Sequence, residues 1–330
     1  MGHIGKRHAE MIRKHPEAEL TAVADILSPD ELGINGIKEK FYGSLSELLR
    51  AHDEIDVVNI CTPNGLHASM ALEALEEKKH VVVEKPFALR KADAEKIIFK
   101  ALQVSKHVFT VMQNRYSPPS VWLKEMIDRK RLGNIYMVQL NCYWNRDDRY
   151  YSKGTWHGDR HMDGGTLFTQ FSHFIDIMYW LFGDIENIKG SFKNFSHHDT
   201  IDFEDSGIVH FDFINGGMGS INYSTSVWDK NLESSILIVG EKGTVKVAGQ
   251  YMNKVEYCHV KDYEMPRLPE ANPPNDYGPY KGSAANHHFI IENVIDTLKG
   301  KTTATTNALE GLKVVEIIER IYSNKTNNLK

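Results

Sequence analysis

Lys85 stands near the end of His80–Phe87, HVVVEKPF, where three valines run into a charged pair and a proline. Such an apolar run reads as a buried strand ending at the edge where open α/β sheets take their ligands. A lysine there is a compact cation able to hold negative charge developing on an oxygen. The proline behind it fixes its own φ and draws Lys85 into an extended conformation. On these residues alone, a strand ending in solvated charges competes with that reading. A second constellation runs from Asp163 to Asp176, DGGTLFTQFSHFID. Read as one glycine-led helix, it places Thr169 and His173 at i and i+4 on one face, with Asp176 a turn beyond. Histidine suits general-base work near neutral pH, and the carboxylate could orient its ring; a histidine packed between Phe171 and Phe174 is the competing reading.

A third signal opens the chain. Gly2-His3-Ile4-Gly5 leads into the helical pattern Ala9–His15, and Leu20–Asp25, LTAVAD, reads as a strand ending in a carboxylate. A dinucleotide fingerprint needs a strand, then GxGxxG at the mouth of a helix, then an acidic residue about 20 positions on. Gly2 and Gly5 match the second and third glycines and Asp25 the acid, while the first glycine and the strand before it have no counterpart. This half-motif competes with a plain glycine-containing helix start. It also leads us to expect a start called too late, or a fragment, because a Rossmann sheet without its central strand leaves ladder groups of the neighbouring strands unpaired.

The elements that must position these residues follow in order. Leu45–Arg50 reads as a helix, Ile55–Cys61 as a strand, the stretch through Leu75 as a helix, Lys91–Val104 as another and Val108–Met112 as a strand. Strands alternating with helices at this spacing predict a parallel, doubly wound α/β sheet. Polar residues gather after three of its strand ends: Asp25, then Thr62-Pro63-Asn64 with His67, then Glu84-Lys85-Pro86. After Gln113-Asn114-Arg115-Tyr116 the pattern breaks at Ser117-Pro118-Pro119, and a helix at Val121–Arg129 leads into long strands separated by glycine turns. We therefore expect a dinucleotide-binding Rossmann domain over 1–116 and, over 117–330, an α+β domain with a large, open, mostly antiparallel sheet. Lys261–Gly282, with five prolines, reads as a lid or an oligomer contact.

Composition sets the outer bounds. At 330 residues, 41% hydrophobic and 25% charged, the chain suits two soluble domains. A net charge of −5 disfavours nucleic acid or an anionic membrane as partner. Cys61, Cys142 and Cys258 are widely scattered and read as thiols in a reducing compartment. No apolar run reaches membrane length and the amino terminus has no signal-peptide core, so the cytoplasm is expected. The sixteen histidines include His197-His198 and His287-His288 but no ligand set with metal spacing, and no metal is expected.

In the order GHIGKRHAE, ADI, ICTPNGLH, VVVEKPFAL, QNRYSP and GGTLFTQFSHFIDIMYWLFG, the chain resembles the glucose-fructose oxidoreductase/inositol dehydrogenase (Gfo/Idh/MocA) family over nearly its whole length. The resemblance implies a first domain that binds NAD or NADP and a second whose open sheet faces the substrate and supports a homo-oligomer, dimer or tetramer. By position it puts Gly2, His3, Ile4 and Gly5 at the pyrophosphate and Asp25 at the adenosine ribose. Thr62, Pro63, Asn64 and His67 would lie along the cofactor, Glu84 and Lys85 beside the nicotinamide, and Asn114 also on the cofactor. Arg115, Arg146, Tyr150, Trp156, Thr169, Gln170, His173 and Asn286 would meet the substrate. The aspartate usual one turn before the histidine is Thr169 here, so the catalytic set becomes Lys85, His173 and Thr169, with Thr169 limited to hydrogen bonding.

The activity expected is NAD-dependent oxidation of a secondary alcohol. Asp25, followed by Ile26-Leu27-Ser28 with no arginine or lysine, favours NAD over NADP, because a carboxylate there repels a 2′-phosphate. Within the family, the YWNRDDRYY run at Tyr143–Tyr151 and the tail around Asn286 look most similar to UDP-N-acetylglucosamine and UDP-N-acetylglucosaminuronate 3-dehydrogenases of surface-polysaccharide synthesis. Aromatics offer a sugar an apolar face, and Arg146, Arg149, Lys153 and Arg160 supply cations for a carboxylate or diphosphate. A dehydrogenase of a free sugar or inositol, and a non-catalytic dinucleotide or sugar sensor, are the alternatives.

Overall fold

The computed structural model describes residues 1–152, 154–278 and 280–324. The chain divides into two compact units, one of Met1–Met112 with His287–Val315, the other of Gln113–Asn286 with the residues from Glu316 on. The first unit begins with α1 (His3–Lys14), β1 (Ala22–Ala24), α2 (Pro29–Leu32), β2 (Lys40–Tyr42) and α3 (Leu45–Ala51). It continues with β3 (Val57–Ile60), α4 (His67–Glu76), β4 (His80–Val83), α5 (Lys91–Gln103) and β5 (Val108–Thr110). All its paired strands are parallel, as β1–β2 and as β3–β4–β5, so among the described residues the sheet is in two pieces. β4 is the middle strand of the larger piece, which is why it carries valine at three successive positions: Val81, Val82 and Val83 are each 0% exposed. The strand β2 and the helix α2 have no apolar run to announce them. α2 is set locally by a capping box between Ser28 and Glu31, a proline in its first turn and a left-handed Gly33 at its end.

The boundary expected after Tyr116 falls instead at Met112, and His287–Val315, expected in the second domain, belongs to the first. The reason is pairing that the sequence does not advertise. The Thr110 N–H donates to the Thr306 carbonyl at 3.1 Å, Phe109 bridges Asn307, and the helix His287–Leu298 packs on α1 while burying Ile290, Ile291 and Val294.

The second unit starts with α6 (Pro118–Asp128) and β6 (Ile135–Tyr143), then α7 (Thr166–Thr169), α8 (Ser172–Phe182) and β7 (Ile185–Lys193). Next come β8 (Ser206–Phe213), β9 (Met218–Ser224), β10 (Glu233–Gly240), β11 (Gly243–Ala248) and β12 (Lys254–Val260). These strands form one seven-stranded sheet in the order β12-β11-β10-β6-β9-β8-β7, antiparallel except for the β6–β9 pair. Alternate residues such as Val138, Leu140, Val209, Phe211, Ile221 and Tyr223 are buried, the two-residue period of a half-covered sheet. α8 lies on that face: Phe171, which caps it, meets the Tyr223 ring at 5.8 Å and Phe182 meets Phe213 at 5.2 Å. Part of the proline-rich stretch pairs as a hairpin of β13 (Pro274–Asp276) and β14 (Lys281–Ala284). The last elements among the described residues are α9 (His287–Leu298) and α10 (Ala308–Ser323). No helix among the described residues is long and apolar enough to cross a membrane, and the three cysteines are free.

His80 at the start of β4 accepts the His107 N–H on Nδ1 at 2.9 Å and stacks on the His107 ring. Burial, with Lys106 and His107 adding to it, pushes its pKa down to about 4. The folded pKa lies below the unfolded value of about 6.5, so the unfolded chain binds the proton first as pH falls. The stability contribution is therefore full above pH ~6.5 and is lost as pH falls through about 4. Urea midpoints measured across that window should decline less steeply for His80→Gln than for the wild type.

Candidate active site

In the first unit the site residues collect at the carboxyl ends of the strands. Gly2 is the N-cap of α1, the helix has no side-chain cap on its first amides, and a Cβ on Gly2 would meet nothing within 4 Å. A dinucleotide pyrophosphate binds at such an open helix mouth, where backbone N–H groups and the positive end of the helix dipole converge. Asp25 follows β1; one oxygen accepts the Leu27 N–H at 3.0 Å and the other meets the amino group of Met1. After β3, Thr62 and Pro63 lead into a 3-10 turn, Asn64–Leu66, that buries Asn64. The residues present fit a bound dinucleotide, with Gly2 through Gly5 for its phosphates and Asp25 for its ribose.

Two residues expected to lie along the cofactor are already engaged. The His67 ring bonds the Pro86 carbonyl through Nδ1 at 2.7 Å and the Thr62 carbonyl through Nε2 at 2.9 Å, which leaves neither nitrogen for a ligand. His67 is a brace between two strand-end loops. Glu84, 5% exposed, accepts Nε2 of His8 on Oε1 at 2.9 Å and the Lys85 N–H on Oε2 at 3.1 Å, with Nε2 of His287 at 3.3 Å from Oε1. Burial alone would raise the Glu84 pKa, but the two imidazoles outweigh it and hold the carboxyl well below the usual range. Lys85 is half-buried at the following position.

Neither His8 nor His287 stands out in the sequence as a site residue. His8, one helical turn after Gly5, has a local signal; His287 has none, because it comes from a helix remote in sequence. Together with Glu84 they form a group whose ligand atoms all lie within 4.8 Å, a set that no sequence spacing displays.

In the second unit the stretch read as one helix is broken. α7 ends at Thr169 and α8 starts at Ser172, with Phe171 as its N-cap, so Thr169 and His173 are not two positions on one helical face. The break follows from how α7 is anchored. Gly165, at φ 125°, is approached so closely by Tyr322 that a Cβ would lie 2.7 Å from the phenol oxygen, and that oxygen accepts the Leu167 N–H at 2.9 Å. Tyr322 and Tyr223 both donate to Oε1 of buried Glu204, at 2.7 and 2.8 Å. The Thr169 hydroxyl donates to the Asp163 carbonyl at 2.8 Å and also meets the Asp163 carboxylate. His173 is 2% exposed.

The Asp176 carboxylate, read in the sequence as one that could orient the His173 ring, takes a bidentate pair from Arg115, Nε to Oδ2 at 2.8 Å and Nη2 to Oδ1 at 2.6 Å, with both side chains 1% exposed. Arg115, expected at the substrate, thus has a buried internal partner. Arg146 is likewise enclosed: it donates to Gln170 at 2.7 Å, to the Asn145 and Lys281 carbonyls, and to Asn231, and its guanidinium lies near the Trp144, Tyr150 and Tyr280 rings. Gln170 in turn donates to the Tyr150 hydroxyl at 2.7 Å, so the fold does bring Arg146, Gln170 and Tyr150 together. Asn286 is buried and braces the Gln113 carbonyl, Ser117 and Asn272; Asn114 donates to Ser283. Trp156 is half-buried against His157, Arg149 pairs with Asp147 on the surface, Arg160 reaches the Asp202 carbonyl, and Lys153 lies outside the described residues.

One unit of parallel strands with an open helix mouth and a strand-end lysine, and another built on a large mixed sheet, are the parts expected of a nicotinamide-dependent dehydrogenase. Residues 1–112 match the model for an oxidoreductase family with an NAD-binding Rossmann fold, and residues 121–246 that for a Gfo/Idh/MocA C-terminal domain. The chain belongs to the Gfo/Idh/MocA oxidoreductase family. It is similar to the crystal structure of the WlbA dehydrogenase from Chromobacterium violaceum in complex with NADH and UDP-GlcNAcA: 32% identity, 98% of this chain and 91% of that one, TM-score 0.86. The WlbA dehydrogenase from Bordetella pertussis, in complex with the same pair, matches at 30% identity over 99% and 95% of the two chains, TM-score 0.83. Glucose-6-phosphate 3-dehydrogenase from Bacillus subtilis is 25% identical over 99% of this chain and 95% of its own. This protein is an NAD-dependent sugar or polyol oxidoreductase acting on CH–OH groups.

The Arg115–Asp176 pair generates a prediction. Removing one partner leaves an uncompensated buried charge, so Asp176→Ala should lower unfolding stability by about 3–5 kcal/mol. Denaturant titration that finds less than about 1 kcal/mol would show the pair to be dispensable.

Proposed function

We propose that this enzyme oxidises the 3-hydroxyl of a UDP-N-acetyl-hexosamine or of its uronate. The observation that carries the reading is the likeness, over nearly the whole chain and at 30% identity or more, to two dehydrogenases whose structures hold UDP-GlcNAcA with NADH. NAD, when bound, supplies the hydride acceptor. His173 takes the hydroxyl proton, and the Lys85 ammonium holds the negative charge that develops on that oxygen. The Thr169 hydroxyl, tied to Asp163, hydrogen-bonds rather than ionises. The half-buried Trp156 ring suits the apolar face of a sugar, with the buried Tyr150 holding Gln170 through its hydroxyl.

Each side chain's role has its own test. Lys85→Ala and His173→Ala should each cut turnover roughly a hundredfold or more with the fold intact by circular dichroism, since base and oxyanion contributions are each of that size. Near-normal turnover in either variant would remove that residue from the mechanism.

A second reading, oxidation of a free or phosphorylated sugar, is favoured by the full-length likeness to glucose-6-phosphate 3-dehydrogenase. Following NADH absorbance with UDP-N-acetylglucosamine, its uronate, glucose 6-phosphate and myo-inositol separates the two. The first reading expects the highest kcat/KM for a UDP-sugar, and it is lost if a sugar without a nucleotide is preferred.

A further inference from the structure

Imidazoles from three helices of its own unit surround the Glu84-Lys85-Pro86 turn. His8 of α1 bonds Glu84 Oε1 at 2.9 Å, His287 of α9 brings Nε2 to 3.3 Å from that oxygen, and His67 of α4 bonds the Pro86 carbonyl at 2.7 Å. The second Glu84 oxygen, Oε2, accepts the backbone N–H of Lys85 at 3.1 Å. The other ring nitrogen of His8 lies 3.1 Å from Oδ1 of Asn59, so His8 faces an acceptor on each side. With the Asn59 oxygen facing the ring, the doubly protonated imidazole satisfies both, and the buried Glu84 carboxylate supplies the compensating charge. The remaining titratable neighbours are Cys61 beside His8 and Arg7 near His287.

We infer that His8 is a positioning residue for Lys85 and His287 its support: the His8 hydrogen bond fixes the Glu84 carboxylate while the His287 ring packs edge-on against His8, and the carboxylate holds the Lys85 amide and so sets where its ammonium lies. The inference rests on the reading of Lys85 as the group that meets the reacting oxygen. Without the imidazolium, the buried carboxylate takes up a proton or turns away, and the amide loses its acceptor. Misplacement of a reacting group by about 1 Å costs on the order of a hundredfold in rate while leaving binding elsewhere intact. The same three ligand atoms invite comparison with a metal centre. Two ligands at about 2.0–2.1 Å from one tetrahedral zinc stand roughly 3.3 Å apart. The His8–Glu84 separation of 2.9 Å is instead that of a direct charge-assisted hydrogen bond.

The test uses the full chain and the variants His8→Ala, His8→Gln and His287→Ala. Long-range proton–nitrogen NMR of the wild type at pH 7 should show both nitrogens of His8 protonated. Amide hydrogen exchange over residues 84–87 should quicken in both alanine variants, with α8 unchanged, and His8→Gln, which keeps a donor, should restore part of the protection. With the sugar the wild type oxidises, kcat should fall about a hundredfold and KM for NAD should change less than about threefold. A singly protonated His8, unaltered exchange at 84–87 in the variants, or a stoichiometric transition metal in the purified wild type that His8→Gln loses would each overturn the inference. If the wild type oxidises no sugar, the proposed function fails by itself, and the NMR and exchange results still decide the positioning role.

Discussion

A carboxylate removed from water at the end of a buried parallel strand is the constraint around which the first unit is arranged. An unpaired ion there costs several kcal/mol, and Glu84 is paired by His8 from another helix and by the amide of the next residue, with His287 close by. α1 brings His8, α9 brings His287, and the next peptide turns its amide back onto the same group. The two histidine rings meet edge-on with centroids 5.5 Å apart, so the charge and the α1–α9 packing depend on each other. That dependence explains why a helix far along the chain belongs to the first unit.

The second unit compensates its buried charges by the same rule, and the outcome changes what its ionic residues mean. Arg115 is matched by Asp176, and Arg146 by an amide, backbone carbonyls and three aromatic rings. Burial would raise the Asp205 pKa, yet His197 and the Phe195 and Ser196 amides hold it well below the usual carboxylate range. Cations that look available for a diphosphate along the sequence are largely satisfied inside the unit. They rigidify the aromatic cluster of Trp144, Tyr150 and Tyr280 around the Arg146 guanidinium.

Thr169 shows how a changed residue is absorbed. A hydroxyl cannot take the part of a carboxylate near neutral pH, and its bonds to Asp163 tie the end of α7 back to the glycine turn that starts it. His173 lies at the start of α8 and Lys85 just past the end of β4.

Much of this was determined by the sequence alone, wherever the signal is local. The valine run of β4 needs burial on both faces, alternating residues in β6, β8 and β9 need one covered face, and Gly164-Gly165 needs a left-handed turn; each is written within a few residues. The family resemblance was legible for the same reason, since its motifs sit at strand ends and helix starts. Tertiary structure alone decided which polar groups meet. Nothing local pairs His287 with Glu84, Tyr322 with Glu204, or Arg115 with Asp176 rather than with a substrate, because compensation of a buried charge depends on distance in space and not on separation along the chain. The same physics divided the glycine-led helix in two and returned residues 287–315 to the first unit: packing and partner satisfaction outweighed a continuous helical pattern and a contiguous domain.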